Sequence, residues 1–127
     1  TWTGASYLNG TGVGTDKAVI FLFDTNGKLI ANTAIAGTTN AAGASVFEKI
    51  AFSTPITLPP GRYFLGLCLD GTTVTPRHVL AAFGAEPRSV EVATVTSFAA
   101  ALTTLTAGIT VPTSFVTAKA PIMQLYS

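Results

Sequence analysis

Apolar residues along this chain form short runs that are separated by turn-forming residues. The clearest run covers residues 17–23 and leads into residues 24–27, where an Asn-Gly pair can adopt the positive φ angles of a tight turn. Residues 28–35 then return with further strand-forming side chains. This pattern predicts a β-hairpin over residues 17–37.

Both alternating sets of side chains in the first hairpin arm are apolar. One face carries Ala18, Ile20 and Leu22, and the other carries Val19, Phe21 and Phe23. A strand with one side in water alternates with polar residues, so this arm is predicted to be central and covered on both faces. One face would meet an opposing sheet, and the other needs a loop, a long connection or another subunit. The set Val19, Phe21 and Phe23 is therefore a candidate subunit-contact strand.

A second strand is predicted over residues 46–53. Three apolar residues there share one face, with an acidic residue among them: Val46, Ile50, Phe52 and Glu48. We interpret Glu48 as a solvated strand position, because a single carboxylate next to one apolar face more often reaches water than the core.

Further strand signals follow. Residues 54–61 form a proline-punctuated turn, and residues 62–69 form a second long apolar strand that ends at the turn-forming pair Asp70-Gly71. Residues 74–83 are interrupted by Pro76, which predicts an edge strand.

The last third of the chain is less regular. Residues 89–95 and 121–127 are predicted strands, and residues 97–105 are either a helical turn or a loop. Many short strands with turns between them and little or no helix predict an all-β fold, an antiparallel β-sandwich of jelly-roll type, as one domain over residues 1–127. Because the chain starts at Thr1 without methionine, a fragment or a processed product is also considered.

Composition narrows the function classes. Hydrophobic residues make up 48% of the chain and charged residues only 10%, against about 25% in an ordinary soluble domain. The net charge is +1 and the basic residues are scattered, so no nucleic-acid partner is expected. No apolar run reaches the length of about 18 residues that a transmembrane helix needs, so no membrane partner is expected. A low-charge surface rich in Thr and Ala suits a subunit that is covered by neighbours.

The chain has few residues of the types that catalysis or metal binding requires. One histidine, His78, and one cysteine, Cys68, make a zinc site within one chain improbable, and no calcium-loop spacing joins the acidic residues. No nucleophile-elbow pattern surrounds a serine, and the three glutamates are interpreted as solvated positions. We therefore predict no enzyme activity and no cofactor. Cys68 is expected to be a small buried core residue.

Aromatic residues offer one binding alternative, because exposed aromatic rings stack on sugars. Trp2 and Tyr7 are the candidate exposed aromatic contacts, although packing or an inter-subunit contact is the favoured use. The tripeptide from Asn9 to Thr11 matches a glycosylation acceptor, but three residues are a weak signal.

Several segments together resemble β-rich structural proteins encoded by tailed bacteriophages. In that family a D-x-x-G turn and an "LA" return strand lead to an I-x-F strand, a P-G-x-Y-x-x-G strand and a late VPT-x-F segment. The matching segments here are residues 24–27, 29–31, 50–52, 60–66 and 111–115. The resemblance covers most of residues 11–126.

The resemblance implies a virion component located on the phage particle, either a capsid decoration protein, a head-fibre subunit or a fibre or tail domain. Its partners would be other virion proteins and further copies of itself, with a homotrimer expected from the symmetry of virions. The alternative is a receptor-binding or glycan-binding domain of a tail fibre or tail spike, with a host surface glycan held by residues 38–44 and 72–77.

Overall fold

The computed structural model describes residues 1–11, 16–41, 43–69, 75–79, 91–92, 116–117 and 120–127. All regular elements in these residues are strands. They are β1 (Trp2–Thr11), β2 (Lys17–Phe23), β3 (Leu29–Asn32), β4 (Thr38–Thr39), β5 (Phe47–Ile56), β6 (Phe64–Leu69), β7 (Thr75–Pro76), β8 (His78–Val79), β9 (Glu91–Val92), β10 (Val116–Thr117), β11 (Ala120–Pro121) and β12 (Met123–Tyr126).

Two antiparallel sheets pack on each other. In the first, β1 lies between β12 and β5, and β7 also pairs with β1. In the second, β2 pairs with β3 and β4 along one edge and with β6 along the other. Two further short antiparallel pairs are formed by β9 with β10 and by β8 with β11. The predicted antiparallel β-sandwich is confirmed, whereas the jelly-roll connectivity stays a prediction.

The main core lies between the two sheets. Strand alternation places every second residue of β1, β2 and β5 on the inner face. The fully or almost fully buried residues of this core are Ala5, Tyr7, Ala18, Ile20, Leu22, Ala31, Ile50 and Phe52. Each large aliphatic or aromatic side chain buried here contributes about 1.5–3 kcal/mol.

The outer face of β2 is buried as well. Val19 and Phe21 are 0% exposed and Phe23 is 5% exposed within a single chain, where they pack with Cys68. The prediction that β2 is central and covered on both faces is therefore confirmed, and Cys68 is buried as expected. Val19, Phe21 and Phe23 nevertheless have almost no exposed surface with which to contact a second subunit. Their proposal as a subunit-contact strand is corrected, because the chain itself covers this face.

The predicted hairpin is present, with a different turn. Only Gly27 has a positive φ, of 82°, so the turn has the three-residue form in which a left-handed glycine follows a type I turn. The Asp24 carboxylate Oδ1 accepts hydrogen bonds from the backbone N–H groups of Asn26, at 2.8 Å, and Lys28, at 2.9 Å. This carboxylate holds the turn, and Asn26 does not need the left-handed conformation.

Thr33 marks the point where the chain leaves β3. Its hydroxyl Oγ1 accepts a hydrogen bond from the Ile20 N–H at 2.9 Å, and its own N–H donates to the Ile20 carbonyl at 3.0 Å. Thr33 also forms an isolated antiparallel bridge with Phe52 of the first sheet. A fully buried threonine thus completes the ladder of β2 and connects the two sheets.

The remaining strand predictions have mixed outcomes. Val46, which was predicted to share one strand face with Ile50 and Phe52, is 50% exposed, whereas Ile50 and Phe52 are buried. It precedes β5, and its backbone is held by the end of β1. The predicted edge segment around Pro76 contains β7 and β8, and β12 matches the predicted last strand. The predicted turn at residues 70–71 and the predicted helical turn or loop at residues 97–105 lie outside the described residues.

Gly37 generates a stability prediction. Its φ is 78°, and a Cβ atom there would lie 2.7 Å from the Lys17 Cβ. We expect Gly37→Ala to lower the free energy of unfolding by about 2 kcal/mol, because a left-handed alanine and a steric clash are introduced together. Urea denaturation measures the change. Gly43→Ala is the matched control, since Gly43 has no neighbour within 4 Å, and a similar loss in both variants would contradict the prediction.

Thr33 generates a second prediction. Thr33→Val removes the acceptor of the buried Ile20 N–H, which should cost about 1–3 kcal/mol in the free energy of unfolding. Hydrogen exchange at the Ile20 amide should accelerate in this variant. Thr33→Ser keeps the hydroxyl and should keep the protection of that amide, although it loses a buried methyl group. Equal Ile20 exchange rates in both variants would refute the role of the hydroxyl.

Candidate functional site

Five polar side chains are buried at one end of the sandwich, and we call them the polar cluster: Tyr7, Asn9, Asp16, Asn40 and Glu48. None of them is more than 7% exposed. Buried polar groups of this kind are costly unless they are hydrogen-bonded or bind something. The polar cluster is therefore the candidate functional site among the residues that the structure describes.

The strands bring these residues together from distant parts of the chain. Tyr7 and Asn9 are two residues apart in β1, so they share the inner face with Ala5. Tyr7 lies opposite Glu48 in the ladder between β1 and β5. Directly opposed residues in an antiparallel pair have neighbouring side chains, so the phenol and the carboxylate are adjacent.

Asp16 and Asn40 complete the polar cluster from the second sheet. Asp16 directly precedes β2, and its carbonyl oxygen accepts a hydrogen bond from the Asn40 N–H at 3.1 Å. The next amide along the chain, Ala41 N–H, donates to Glu48 Oε2 at 3.1 Å. Two consecutive amides thus bind the Asp16 backbone and the Glu48 carboxylate, which places these two acidic residues near each other.

Asn9 organises the loop of residues 40–45. Its side-chain Nδ2 donates to Asn40 Oδ1 at 3.2 Å and to the Gly43 carbonyl at 3.4 Å. Its backbone carbonyl accepts from the Ser45 N–H at 2.8 Å. Ser45 has a φ of 62°, an uncommon conformation for a residue with a side chain, and the bond to Asn9 helps to hold it.

Tyr7 has an unusual electrostatic environment. Burial is the main cause that raises its pKa to about 12, and the negative charges of Glu48 and then Asp16 add to the shift. Its hydroxyl Oη has no hydrogen-bond partner among the described residues, and the same holds for Asn40 Nδ2 and for Ser6 Oγ. At neutral pH the phenol is protonated and supplies a neutral oxygen next to two acidic residues.

The interpretation of Glu48 as a solvated residue is wrong. Glu48 is 7% exposed, because it has the same strand parity as Ile50 and Phe52 and therefore points toward the core. That parity was visible in the sequence. The acceptor role toward the Ala41 amide was not, because it depends on a loop from the other sheet.

The two candidate aromatic contacts, Trp2 and Tyr7, differ in burial and lie at different places along β1. Tyr7 is 0% exposed, so it is corrected from an exposed contact to a core residue, because its strand parity directs it between the sheets. Trp2 is half-buried and pairs with Ile56 at the far end of β1 from Asn9. The two rings do not form one sugar-stacking surface, and Trp2 alone stays a candidate for an exposed aromatic contact.

Burial also argues against the predicted glycosylation site at Asn9. The side-chain amide of Asn9 is 0% exposed and donates to Asn40 and to the Gly43 carbonyl. A glycan requires that nitrogen to be at the surface. The folded protein therefore cannot be modified at Asn9.

The described part of the chain has few of the features that metal binding or membrane insertion requires. No group of three or more His, Cys, Asp and Glu residues comes together there in a metal-ligating arrangement. The only oxygen-rich group described above is the polar cluster, with two carboxylates. Within the described ranges, no helix is long and apolar enough to cross a membrane.

Arg77, the last residue of the predicted contact segment 72–77, lies next to Ser45, which directly follows the other predicted contact segment, residues 38–44. Arg77 Nη2 donates to Ser45 Oγ at 3.3 Å, and the Arg77 N–H donates to the Leu8 carbonyl at 2.8 Å. The Arg77 carbonyl in turn accepts from the Ile122 N–H at 3.0 Å. The exposed arginine is thus fixed at its backbone, and its guanidinium lies over the end of the loop of residues 40–45.

Comparison with protein-family models, with curated proteins and with solved structures finds no match for this chain.

The raised pKa of Tyr7 predicts a loss of stability at alkaline pH. The unfolded chain releases the phenol proton near pH 10.0, whereas the folded chain keeps it to about pH 12. Between these values the unfolded state binds fewer protons, so the free energy of unfolding should fall by about 1.4 kcal/mol per pH unit. Well below pH 10 the phenol is protonated in both the folded and the unfolded chain, so the free energy of unfolding no longer changes with pH through Tyr7.

Urea denaturation at a series of pH values tests this prediction. Tyr7→Phe should abolish the part of the alkaline slope that belongs to Tyr7. Tyr126→Phe is the matched control, because the pKa of Tyr126 is raised by burial alone and this variant should keep the Tyr7 slope. An unchanged slope in Tyr7→Phe would contradict the assignment.

Proposed function

We propose that this chain is a non-catalytic structural protein of a tailed-phage virion, a capsid decoration or head-fibre subunit that packs through the surfaces of its β-sandwich. It acts on the outside of the particle with other virion proteins and with further copies of itself as partners. A homotrimer is the proposed assembly, because three-fold symmetry recurs on virions. No cofactor takes part in this role.

The observation that carries the proposal is the location of the segments that resemble phage structural proteins. Residues 24–27 form the turn between β2 and β3, and residues 29–31 lie in β3. Ile50 and Phe52 fill the core from β5, and residues 60–66 lead into β6. Four of the five resembling segments therefore fall on the framework of the sandwich, which favours a shared architecture over a shared reaction, and the fifth, residues 111–115, lies outside the described residues.

Composition supports the same role. Only 10% of residues are charged and the net charge is +1, so copies packed side by side repel each other little. A strand buried on both faces gives the rigid fold that a protein displayed in many copies requires. The contact surface cannot be the outer face of β2, since the chain already buries it, and lies elsewhere on the sandwich.

A second candidate function is recognition of a host receptor or surface glycan by a tail fibre or tail spike domain. The observation that favours it is the contact between Arg77, which ends the predicted contact segment 72–77, and Ser45, which directly follows the predicted contact segment 38–44. An exposed arginine can donate several hydrogen bonds to a polar ligand.

Immunogold labelling of intact phage particles tests both functions. An antibody raised against this chain is viewed on virions by electron microscopy. Label over the head is the expected result for a decoration or head-fibre subunit. Label confined to the tail tip would favour the second function, and virions without label would contradict both.

The proposed trimer is tested by the mass of the purified protein in solution. Light scattering of the purified chain should give a native mass of three times 13.0 kDa. An Arg77→Ala variant is the control for the receptor alternative, because it should lose glycan or cell binding only if that alternative holds. A stable monomer that does not bind empty capsids would contradict the structural role.

A further inference from the structure

The outer face of the first sheet points away from the main core. Ala5 and Tyr7 of β1 point inward, so the residues that alternate with them in β1 point outward. Directly paired residues of neighbouring strands lie on the same face. The described residues that this rule places on the outer face are Gly4, Ser6, Leu8, Phe47, Lys49, Ala51, Gln124 and Tyr126. None of these residues is acidic.

Arg77 adds a second basic side chain to this face. Pro76 of β7 lies opposite the inward Asn9, so the next residue, Arg77, has the outward parity. The Arg77 N–H accordingly donates to the carbonyl of the outward Leu8 at 2.8 Å. The Arg77 guanidinium donates to Ser45 Oγ at 3.3 Å, and Ser45 is bonded to β1 on the β5 side. The exposed arginine side chain therefore crosses over β1.

Lys49 crosses over β1 from the other side. It lies on β5 opposite Ser6, and its Nζ is 5.6 Å from the ring centroid of Tyr126, which belongs to β12. Attraction between the ammonium and the ring holds this side chain across the central strand, although Lys49 remains exposed. Ser6 and Leu8, which pair with the two basic residues, are two positions apart, about 7 Å along the strand. Two exposed cations thus lie close together on one face.

Ser6 supplies an independent observation that points to a ligand. Its side chain is 0% exposed, and its hydroxyl Oγ has no hydrogen-bond partner among the described residues. A buried hydroxyl without a partner is unfavourable. A carboxylate accepts hydrogen bonds from a hydroxyl, an ammonium and a guanidinium alike, so a carboxylate on this face would satisfy all three groups.

The described acidic side chains do not neutralise this face. Asp16 and Glu48 are 6% and 7% exposed on the inner side of the sandwich, and the half-buried Asp24 accepts two hydrogen bonds within its own turn. The basic residues whose burial is described are all exposed: Lys17, Lys28, Lys49, Arg62 and Arg77. The net charge of +1 therefore conceals a basic surface in the described part of the chain. A second copy has no exposed carboxylate in its described residues to bring to this face.

We propose that the outer face of the first sheet is a docking surface for an acidic protein other than this chain. Lys49 and Arg77 bind carboxylates of the partner, and the Ser6 hydroxyl donates to one of them. The half-buried Leu8, Phe47 and Tyr126 supply apolar contacts beside the charges. This surface is independent of the proposed virion role, because it requires only an acidic partner.

The mixture of groups on this face selects a protein partner. Interfaces between proteins combine aromatic and aliphatic contacts with arginine, as this face does. A nucleic acid requires a longer track of basic side chains along its phosphates than two cations provide. Carboxylates of the partner would also remove the repulsion between the two cations, so binding should be fastest at low ionic strength.

An NMR titration of the isotope-labelled chain tests the proposal with a defined probe, a hexapeptide of alternating glutamate and leucine. We expect the largest amide shifts at Ser6, Leu8, Lys49, Arg77 and Gln124, and we expect them to decrease as salt is added. The same peptide with glutamine in place of glutamate should produce no shifts. Shifts of equal size around Lys17, Lys28 and Arg62, or no shifts at all, would overturn the proposal.

Variants locate the surface. Lys49→Gln and Arg77→Gln should each weaken binding of the acidic peptide by at least threefold, and the double variant by about tenfold or more. Lys28→Gln is the matched control, because it removes the same charge from an exposed position in the turn of the second sheet and should leave the affinity unchanged. Equal losses in Lys28→Gln and Lys49→Gln would overturn the proposal, because they would indicate non-specific attraction.

Ser6→Ala separates binding from folding. It removes a hydroxyl that bonds to no described residue, so it should weaken peptide binding several-fold without lowering the melting temperature. Full affinity in Ser6→Ala would overturn the role of this hydroxyl.

Two further measurements test the choice of partner. Binding of a galacturonic acid hexamer as tight as that of the peptide would favour an acidic glycan and overturn the protein assignment. Self-association that Lys49→Gln abolishes would overturn it in favour of a second copy.

Discussion

The burial of β2 on both faces, with hydrogen-bonded neighbours on both edges, is the constraint on which the rest of the structure depends. In this strand, which pairs along both edges, every side chain except Lys17 is buried. Its inner face requires the first sheet as a cover, and its outer face requires further chain. The edge opposite β6 is shared by β3, Thr33 and β4 in turn, so the path of residues 29–39 is dictated by the need to complete one ladder.

The same constraint explains why polar groups collect at one end. β2 begins just after Asp16, and the strands that lie across from it carry Tyr7, Asn9 and Glu48 at the same level of the sandwich. The inter-sheet space there is filled by hydrogen-bonding groups, whereas the space further along is filled by aliphatic and aromatic side chains. An apolar core with one polar end confines any ligand chemistry to a small and well-defined place.

Local signals in the sequence were sufficient for much of the fold. The doubly apolar run of β2 and the turn after it predicted the hairpin, because side-chain alternation and turn chemistry act within a few residues. Tyr7 and Glu48 were predicted to be exposed, and local signals do not reveal their burial. Tyr7 points inward in β1, but the residues between the inward positions are glycine, serine and leucine, so no clear apolar-polar alternation marks the inner face. Glu48 lies among apolar residues, and its burial depends on the hydrogen bond from the Ala41 amide, which belongs to a distant loop. The side-chain hydrogen bonds of Asn9 likewise join residues 31 and 34 positions apart, and no local pattern encodes them.

The pairing of the first strand with the last has a consequence for how the protein is made. Gly4 lies opposite Tyr126, so the first sheet joins residues from the two extremes of the chain. During synthesis β1 emerges before its partner β12, which lies far downstream in the sequence. The hairpin of β2 and β3 can form as soon as it emerges, whereas the pairing of β1 with β12 has to wait until β12 has been synthesised. The late step in folding is therefore the closure of this long-range pair, and the waiting edge is the surface that a chaperone would need to shield.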